Sequence, residues 1–224
     1  MKTRLLIFTA MILLTNTFAM EKQEGRAMSD KERWNLKYEG TTYIYGKEPT
    51  AFLKEKLSLL KRGKALVLAM GEGRNAVYLA ENGFVVTGVD ISEVGIEKCE
   101  RLAEERGVEV NSIVADLTDY NLGKEQYDLI TNFYFYDRLI LPRVVDSLKP
   151  GGIFVFETYS LDHPKHSKFG PKNPDYLVKP NELLETFKSL RILYYEDTVT
   201  ELDEGMHKGK AALIRLIARK PESD

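Results

Sequence analysis

The chain places its chemistry-bearing residues at the ends of short apolar runs. Gly71, Glu72 and Gly73 follow ALVLAM, Asp90 closes FVVTGVD, and Asp116 closes VEVNSIVAD. A G-x-G turn between a strand and a helix lacks Cβ atoms, so its backbone approaches a ligand closely. Its amides, beside a helix N-terminus, favour a carboxylate or phosphate. An acid ending the second strand is placed to accept hydrogen bonds from a ribose diol, and an acid ending the third meets an adenine edge. All three features point into the crevice where open α/β sheets bind ligands. Together they favour a nucleoside-containing cofactor over an empty turn.

A second group lies further along. Tyr134, Tyr136 and Asp137 lie at and just beyond the end of YDLITNFYF, and Glu157 and Tyr159 lie at the end of IFVFETYS. Any of them is placed to position or deprotonate an oxygen or nitrogen nucleophile, with packing and capping as the plainer roles. Arg74 and Asn75 open the first helix, where Arg74 pairs with Glu48, with an acidic acceptor, or with solvent. No metal centre is expected. His163 and His166 fall in a lysine-rich loop and His207 in a hairpin turn, without a carboxylate cluster at ligand spacing, so solvated loops account for them. Cys99 reads as a small buried hydrophobe.

The elements that must carry these residues alternate regularly. ALVLAM is a continuous apolar run, as expected of a strand buried on both faces of a parallel sheet. RNAVYLAENG has helical spacing and a glycine to end it, and FVVTGVD is a second strand. Ser92 is an N-cap for a helix closed by Gly107. VEVNSIVAD and YDLITNFYF are strands three and four, RLILPRVVDSLKPGG a helix interrupted by Pro142, and IFVFETYS strand five. A long loop over 160–179 leads through Pro180 into a helix NELLETFKSL. LRILYYEDTVTEL and KAALIRLIARK then follow as two strands joined too tightly to be parallel. The expected fold is therefore a doubly wound α/β sheet of seven strands, mostly parallel and ending in an antiparallel hairpin.

Composition agrees with one such domain. The 224 residues carry 32 basic and 34 acidic side chains, a net charge of −2, so an electrostatic grip on nucleic acid is not expected. The single cysteine excludes an internal disulfide. Residues 1–19 combine Lys2 and Arg4 with the apolar run Leu5 to Leu14 and end on Ala19, the layout of a secretory signal. That run is too short for a stable membrane span. A start at Met20 or Met28 is the alternative. Residues 20–33 read as a flexible leader and 34–221 as the folded domain, with structure beginning near Trp34. Nothing in the sequence sets the oligomeric state.

The run ALVLAMGEGRNAVYLAENGFVVTGVDIS, with VAD, YDLI, LKPGG and the terminal hairpin, resembles the class I S-adenosylmethionine-dependent methyltransferases. WNLKY, YIYGKEPTAFL and GEGRNAVYLA are similar to the tellurite-resistance and thiopurine methyltransferase group. The resemblance implies S-adenosylmethionine as cofactor and a small-molecule acceptor, with thiols or chalcogen compounds suggested. It also implies cofactor contacts at and around Gly71, Glu72, Gly73, Asn75, Asp90, Ile91, Asp116, Leu117, Asn132 and Phe133; the catalytic candidates Tyr134, Tyr136 and Asp137 follow from their place after strand four, on the side where an acceptor would arrive. For a sulfonium cofactor, aromatic faces at Tyr38, Tyr43, Tyr45, Phe133, Tyr134, Tyr136 and Tyr159 become relevant, and the N-terminal tyrosines suit a lid.

Two positions depart from the family pattern. The family usually has an acid in strand one and a glycine two residues before the G-x-G, where this chain has Val67 and Ala69. Ala69 suits its place so long as its φ is negative. Two other classes stay open: a nicotinamide-dependent oxidoreductase, whose third fingerprint glycine is here Ala76, and a non-catalytic nucleoside-binding module. The cofactor is made in the cytoplasm, which favours that compartment. A true signal in residues 1–19 would instead mean export to the periplasm.

Overall fold

The structure, a computed structural model, describes residues 27–222; the signal-like segment lies outside the described residues. The first helix, α1 (Asp30–Tyr38), begins inside the stretch expected to be a flexible leader. The reason is a capping box, which sequence reading passed over. The Ser29 side chain accepts from the Glu32 amide at 3.2 Å, while Glu32 accepts from the Ser29 amide at 2.7 Å.

After α2 (Ala51–Lys56), strands and helices alternate: β1 (Lys64–Leu68), α3 (Arg74–Glu81), β2 (Val85–Asp90), α4 (Glu93–Arg106), β3 (Val110–Val114), β4 (Tyr127–Phe133), α5 (Leu141–Ser147) and β5 (Leu148–Tyr159). The short α6 (His163–His166) and α7 (Glu182–Thr186) precede a long hairpin, β6 (Arg191–Glu204) and β7 (His207–Arg219). Strand order is β3-β2-β1-β4-β5-β7-β6. The first five strands pair in parallel, and β7 is antiparallel to both β5 and β6. The expected α/β sheet of seven strands is thus the observed one. The strand order reverses between the parallel neighbours β1 and β4, which opens a crevice at their carboxyl ends.

Residues of β1 alternate between two cores, one on each face of the sheet. Val67 faces a core built from α3, α4 and α2, with Leu79, Leu102 and Phe52 in it. Leu66 and Leu68 face a second core with Ile130, Val144 and Phe187. The capping expectations for α4 hold: Ser92 accepts from the Gly95 amide, and Gly107 adopts a left-handed conformation.

Three boundaries differ from expectation. LKPGG belongs to β5 rather than to the preceding helix, because Pro142 sits in the first turn of α5 and starts that helix instead of interrupting it. The extra length is absorbed by a register shift between β4 and β5 near Tyr127. The helix expected over NELLETFKSL is only five residues long, closing once Leu183 and Phe187 are buried. Strand β1 stops at Leu68, two residues early, because Ala69 turns the chain with φ +46°. That is the left-handed region, which costs an alanine about 1 kcal/mol or more relative to glycine. The expectation of a negative φ at Ala69 is therefore corrected. No helix among the described residues is long and apolar enough to cross a membrane.

Candidate active site

A cavity of about 760 Å³ lies over the carboxyl ends of β1, β2 and β4, roofed by α1 and the segment that follows it. Gly71, Glu72, Asn75, Asp90, Ile91, Asp116, Leu117 and Phe133 line it, as do Tyr134, Tyr136 and Asp137. Gly73 and Asn132 are not among its lining residues. Asn132 is buried and shares its row across the sheet with Leu68 and Phe156, residues of the second core.

The glycine turn works differently from the sequence expectation. Gly71 and Gly73 both have positive φ, +56° and +90°. A Cβ on Gly73 would stand 2.3 Å from the Cys99 sulfur, and one on Gly71 would stand 2.7 Å from the Tyr38 hydroxyl. The missing side chains therefore admit the protein's own Cys99 and Tyr38, packing α4 and α1 onto the turn. The amides are largely used as well: Gly71 N donates to Asp90 Oδ2 at 2.7 Å, and Gly73 N to the Met70 carbonyl at 3.0 Å. Cys99 is buried, which pushes its thiol up to about 12 and leaves it an inert hydrophobe.

Asp90 organises the strand-end side of the cavity. It is 5% exposed, and its other oxygen accepts from the Ser92 amide at 2.8 Å. Burial raises its pKa, against the opposing effect of the Ser92, Gly71 and Ile91 amides. Each carboxylate oxygen has two lone pairs, so acceptor capacity remains toward the cavity. Asp116 is held by its own turn, accepting from the Thr118 amide and hydroxyl at 2.9 and 2.8 Å.

The roof is latched by residues that the sequence reading named but did not connect. Glu72, 3% exposed, accepts from the Ile44 and Tyr45 amides at 3.1 and 3.2 Å and from Lys98 Nζ at 2.8 Å. Asn75 Oδ1 accepts from the Thr50 amide at 2.9 Å. Glu72 and Asn75 thus fasten the segment between α1 and α2 to the turn and to α3. Trp34, Tyr38 and Tyr45 face the cavity from this roof, whereas Tyr43 does not and donates to the Lys98 carbonyl.

The opposite end is aromatic and contains buried charge. Arg74 pairs with Glu204 at 3.1 Å and donates to the Tyr45 carbonyl, so the expected partner Glu48 is not used; Glu48 pairs with Arg106. Tyr134, at φ +59°, donates to the Glu157 carbonyl from its backbone and to Glu204 from its hydroxyl at 3.4 Å. Glu157 is buried beneath it, with one oxygen 2.5 Å from Arg215 and the other unpartnered. Burial raises the pKa of Tyr134 well above its ordinary value, so it remains a hydroxyl donor at neutral pH. Asp137 Oδ1 accepts from the Leu139 amide, and Tyr136 is packed against Phe156 and Arg138.

His166 is exposed, as expected of a solvated loop, but His163 and His207 are not. His163 is fully buried: its Nδ1 accepts from the Ala212 amide at 3.3 Å, so Nε2 carries the proton toward the Phe169 carbonyl at 2.8 Å. His207 is 8% exposed and lines the cavity, with ring centroids 4.1 Å from Tyr134 and 4.5 Å from Tyr45. Burial, reinforced by Arg74, Lys37 and His163, pushes its pKa down to about 3. It is a neutral imidazole. No group of three or more potential metal ligands occurs among the described residues. Sequence reasoning missed Glu204 and His207 because both come to the site from the far hairpin.

Residues 65–152 match the family described as a methyltransferase domain, a span running from β1 into β5. This part of the chain is a methyltransferase domain, and the chain is similar to S-adenosylmethionine-dependent methyltransferases. It is 27% identical over 202 residues to the S-adenosyl-L-methionine-dependent methyltransferase TehB of Haemophilus influenzae, covering 85% of this chain and 67% of that protein. The crystal structure of TehB from the same organism superposes with a TM-score of 0.64 at 22% identity, covering 85% of this chain and 66% of that one. A structure described for conversion of a disulfide bond into a thioacetal group during echinomycin biosynthesis has a TM-score of 0.65 at 19% identity, covering 87% and 94%. These two structures share the fold. Against three curated relatives, the chain spans 67%, 57% and 61% of their lengths. The sheet and its crevice are those of the solved structures it superposes on. An acid with free lone pairs lines the crevice end of the cavity and aromatic side chains line the other, an arrangement that accommodates a nucleoside sulfonium.

Proposed function

We propose that this protein transfers a methyl group from S-adenosylmethionine to a small-molecule acceptor, with a thiol or chalcogen compound as the acceptor class. One observation carries the reading. A single cavity joins Asp90 and Asp116, at the strand ends, to the aromatic enclosure of Tyr45, Tyr134, Tyr159 and His207. In this reading Asp90 holds the ribose, Asp116 and Leu117 border the adenine, and Phe133 and Tyr134 border the point of transfer. The cofactor supplies an activated methyl. The protein supplies alignment and exclusion of water, which suffice for a soft nucleophile. The roof formed by α1 and residues 39–50 performs the exclusion, and Glu72 holds it down.

The TehB likeness supports a chalcogen acceptor, and the aromatic faces of the acceptor end accommodate a polarisable sulfur atom. The test is calorimetry with S-adenosylmethionine, S-adenosylhomocysteine and NAD, followed by labelled-methyl transfer to thiols, selenite, tellurite and small amines. Micromolar binding of the first two ligands with transfer to a thiol or chalcogen probe supports the proposal. Tight NAD binding without adenosylmethionine binding would make the protein an oxidoreductase, and binding without any transfer would make it a nucleoside-binding module.

A further inference from the structure

His207 is the first residue of β7 and enters the cavity from the hairpin turn. Its ring is held by Tyr45, Tyr134, Tyr159 and Phe169, with centroid separations of 4.5, 4.1, 5.9 and 6.3 Å. Nothing in this enclosure hydrogen-bonds to it, and Nδ1 is buried without a partner. Every other strong proton acceptor nearby is engaged or set deeper. Glu204 accepts from Arg74, Tyr134 and the Ala51 amide, and Glu157 is paired with Arg215 beneath Tyr134. His163, the other buried histidine of the cluster, uses both ring nitrogens on backbone groups. A buried imidazole without a partner is costly to keep, by about 1–3 kcal/mol, unless a ligand completes it.

We propose that His207 is the proton acceptor for a neutral, protic methyl acceptor such as an un-ionised thiol. This rests on the methyl-transfer reading above. The acceptor sulfur forms its bond to the methyl carbon as the carbon–sulfonium bond breaks. The S–H electron pair stays on the acceptor sulfur, and its proton passes to an imidazole nitrogen. The positive charge that began on the sulfonium ends on the imidazolium and leaves as a proton to solvent when the site opens. A weak base is sufficient, because a thiol that has taken a methyl holds its proton far less tightly than an imidazolium does. Burial, reinforced by the nearby Arg74, Lys37 and His163, keeps it unprotonated before reaction and so ready to accept. The same cations disfavour an ammonium acceptor in the enclosure.

The test compares two sulfur probes in wild-type protein and in His207→Gln and His207→Phe. 2-Mercaptoethanol carries its proton at neutral pH, whereas 4-nitrothiophenol is already ionised by its nitro group. Both variants are expected to bind S-adenosylhomocysteine within about threefold of wild type, which certifies the fold and the cofactor end. Methyl transfer to 2-mercaptoethanol is expected to fall by about 100-fold or more, the usual worth of a positioned base, with transfer to 4-nitrothiophenol changed little. Equal losses on the two probes, or no loss on 2-mercaptoethanol, overturn the assignment, since a purely structural role does not distinguish them. An independent readout uses the non-reacting complex. Adding 2-mercaptoethanol to wild-type protein saturated with S-adenosylhomocysteine is expected to shift the ¹⁵N resonances of the His207 ring, and unmoved resonances overturn the proposal. Wild-type protein that binds S-adenosylhomocysteine but methylates neither probe also overturns it. Failure to bind S-adenosylhomocysteine overturns the methyl-transfer reading instead.

Discussion

Lys98 Nζ stands 2.8 Å from Glu72 Oε1, with the two side chains 0% and 2% exposed. The pair joins α4 to the glycine turn, and through the Glu72 carboxylate it also holds the Ile44 and Tyr45 amides of the roof. Lys98 donates in addition to the Thr42 carbonyl at 2.7 Å. A buried ion pair of this kind is worth most as a matched set, because removing one partner strands the other charge away from water.

Lys98→Met is therefore expected to destabilise the protein by about 3–5 kcal/mol, read from urea denaturation midpoints. Adding Glu72→Gln to that variant is expected to recover part of the loss, since the stranded carboxylate is gone. If the double variant is as unstable as the sum of the singles, the pair is not coupled in this way.

Asp90→Ala is expected to weaken S-adenosylhomocysteine binding by more than tenfold, about 1.4 kcal/mol or more. It removes the ribose acceptor and also releases the Gly71 and Ser92 amides that shape the pocket floor. Calorimetry settles this, and an unchanged dissociation constant would refute the ribose role.

Ala69→Gly removes the cost of a Cβ at φ +46° but adds unfolded-state entropy. The first is about 1–2 kcal/mol and the second about 0.4–1, so a net gain of roughly 0.5–1 kcal/mol is expected, about 1–4 °C in melting temperature. A lower melting temperature would show that the alanine methyl makes contacts that outweigh the strain.

His207 gives a pH signature in the protein alone. Its folded pKa, about 3, lies below the unfolded value near 6.5. Between those values the unfolded chain binds a proton that the native state refuses, so this residue makes stability fall as pH drops from about 6.5 toward 3. Going from pH 7 to pH 5, wild type is expected to lose about 2 kcal/mol more than His207→Gln. Parallel urea midpoints for the two proteins over that range would show that the ring titrates normally.

The strand-end half of this candidate site was legible in the sequence because its geometry is local. Gly71, Asp90 and Asp116 each end or follow a strand, and the parallel sheet brings consecutive strand ends together without further information. The acceptor half was not legible. Glu204 reaches Arg74 across 130 positions, and His207 reaches Tyr45 and Tyr134 from the last hairpin. No spacing rule links them, and a histidine in a short turn reads as solvated until the turn is seen to fold inward. Gly71 and Gly73 were found for a partly different reason from the one that holds. Their open space is filled by Tyr38 and Cys99. The start of α1 was missed although its signal, Ser29 with Glu32, is local.

The placement of β7 has a consequence for how the molecule is made. It lies between β5 and β6 although it is last in the chain, and the hairpin tip reaches the roof, where the Met206 amide donates to the Ile44 carbonyl at 2.9 Å. During synthesis from the N-terminus, β1 to β4 emerge first and pair among themselves, so the nucleoside side of the crevice is completed early. The wall that carries Glu204 and His207 cannot close until the final strand has left the ribosome and slipped in beside β5. A nascent chain stopped short of β7 would thus hold the strand-end half of the cavity without its aromatic wall.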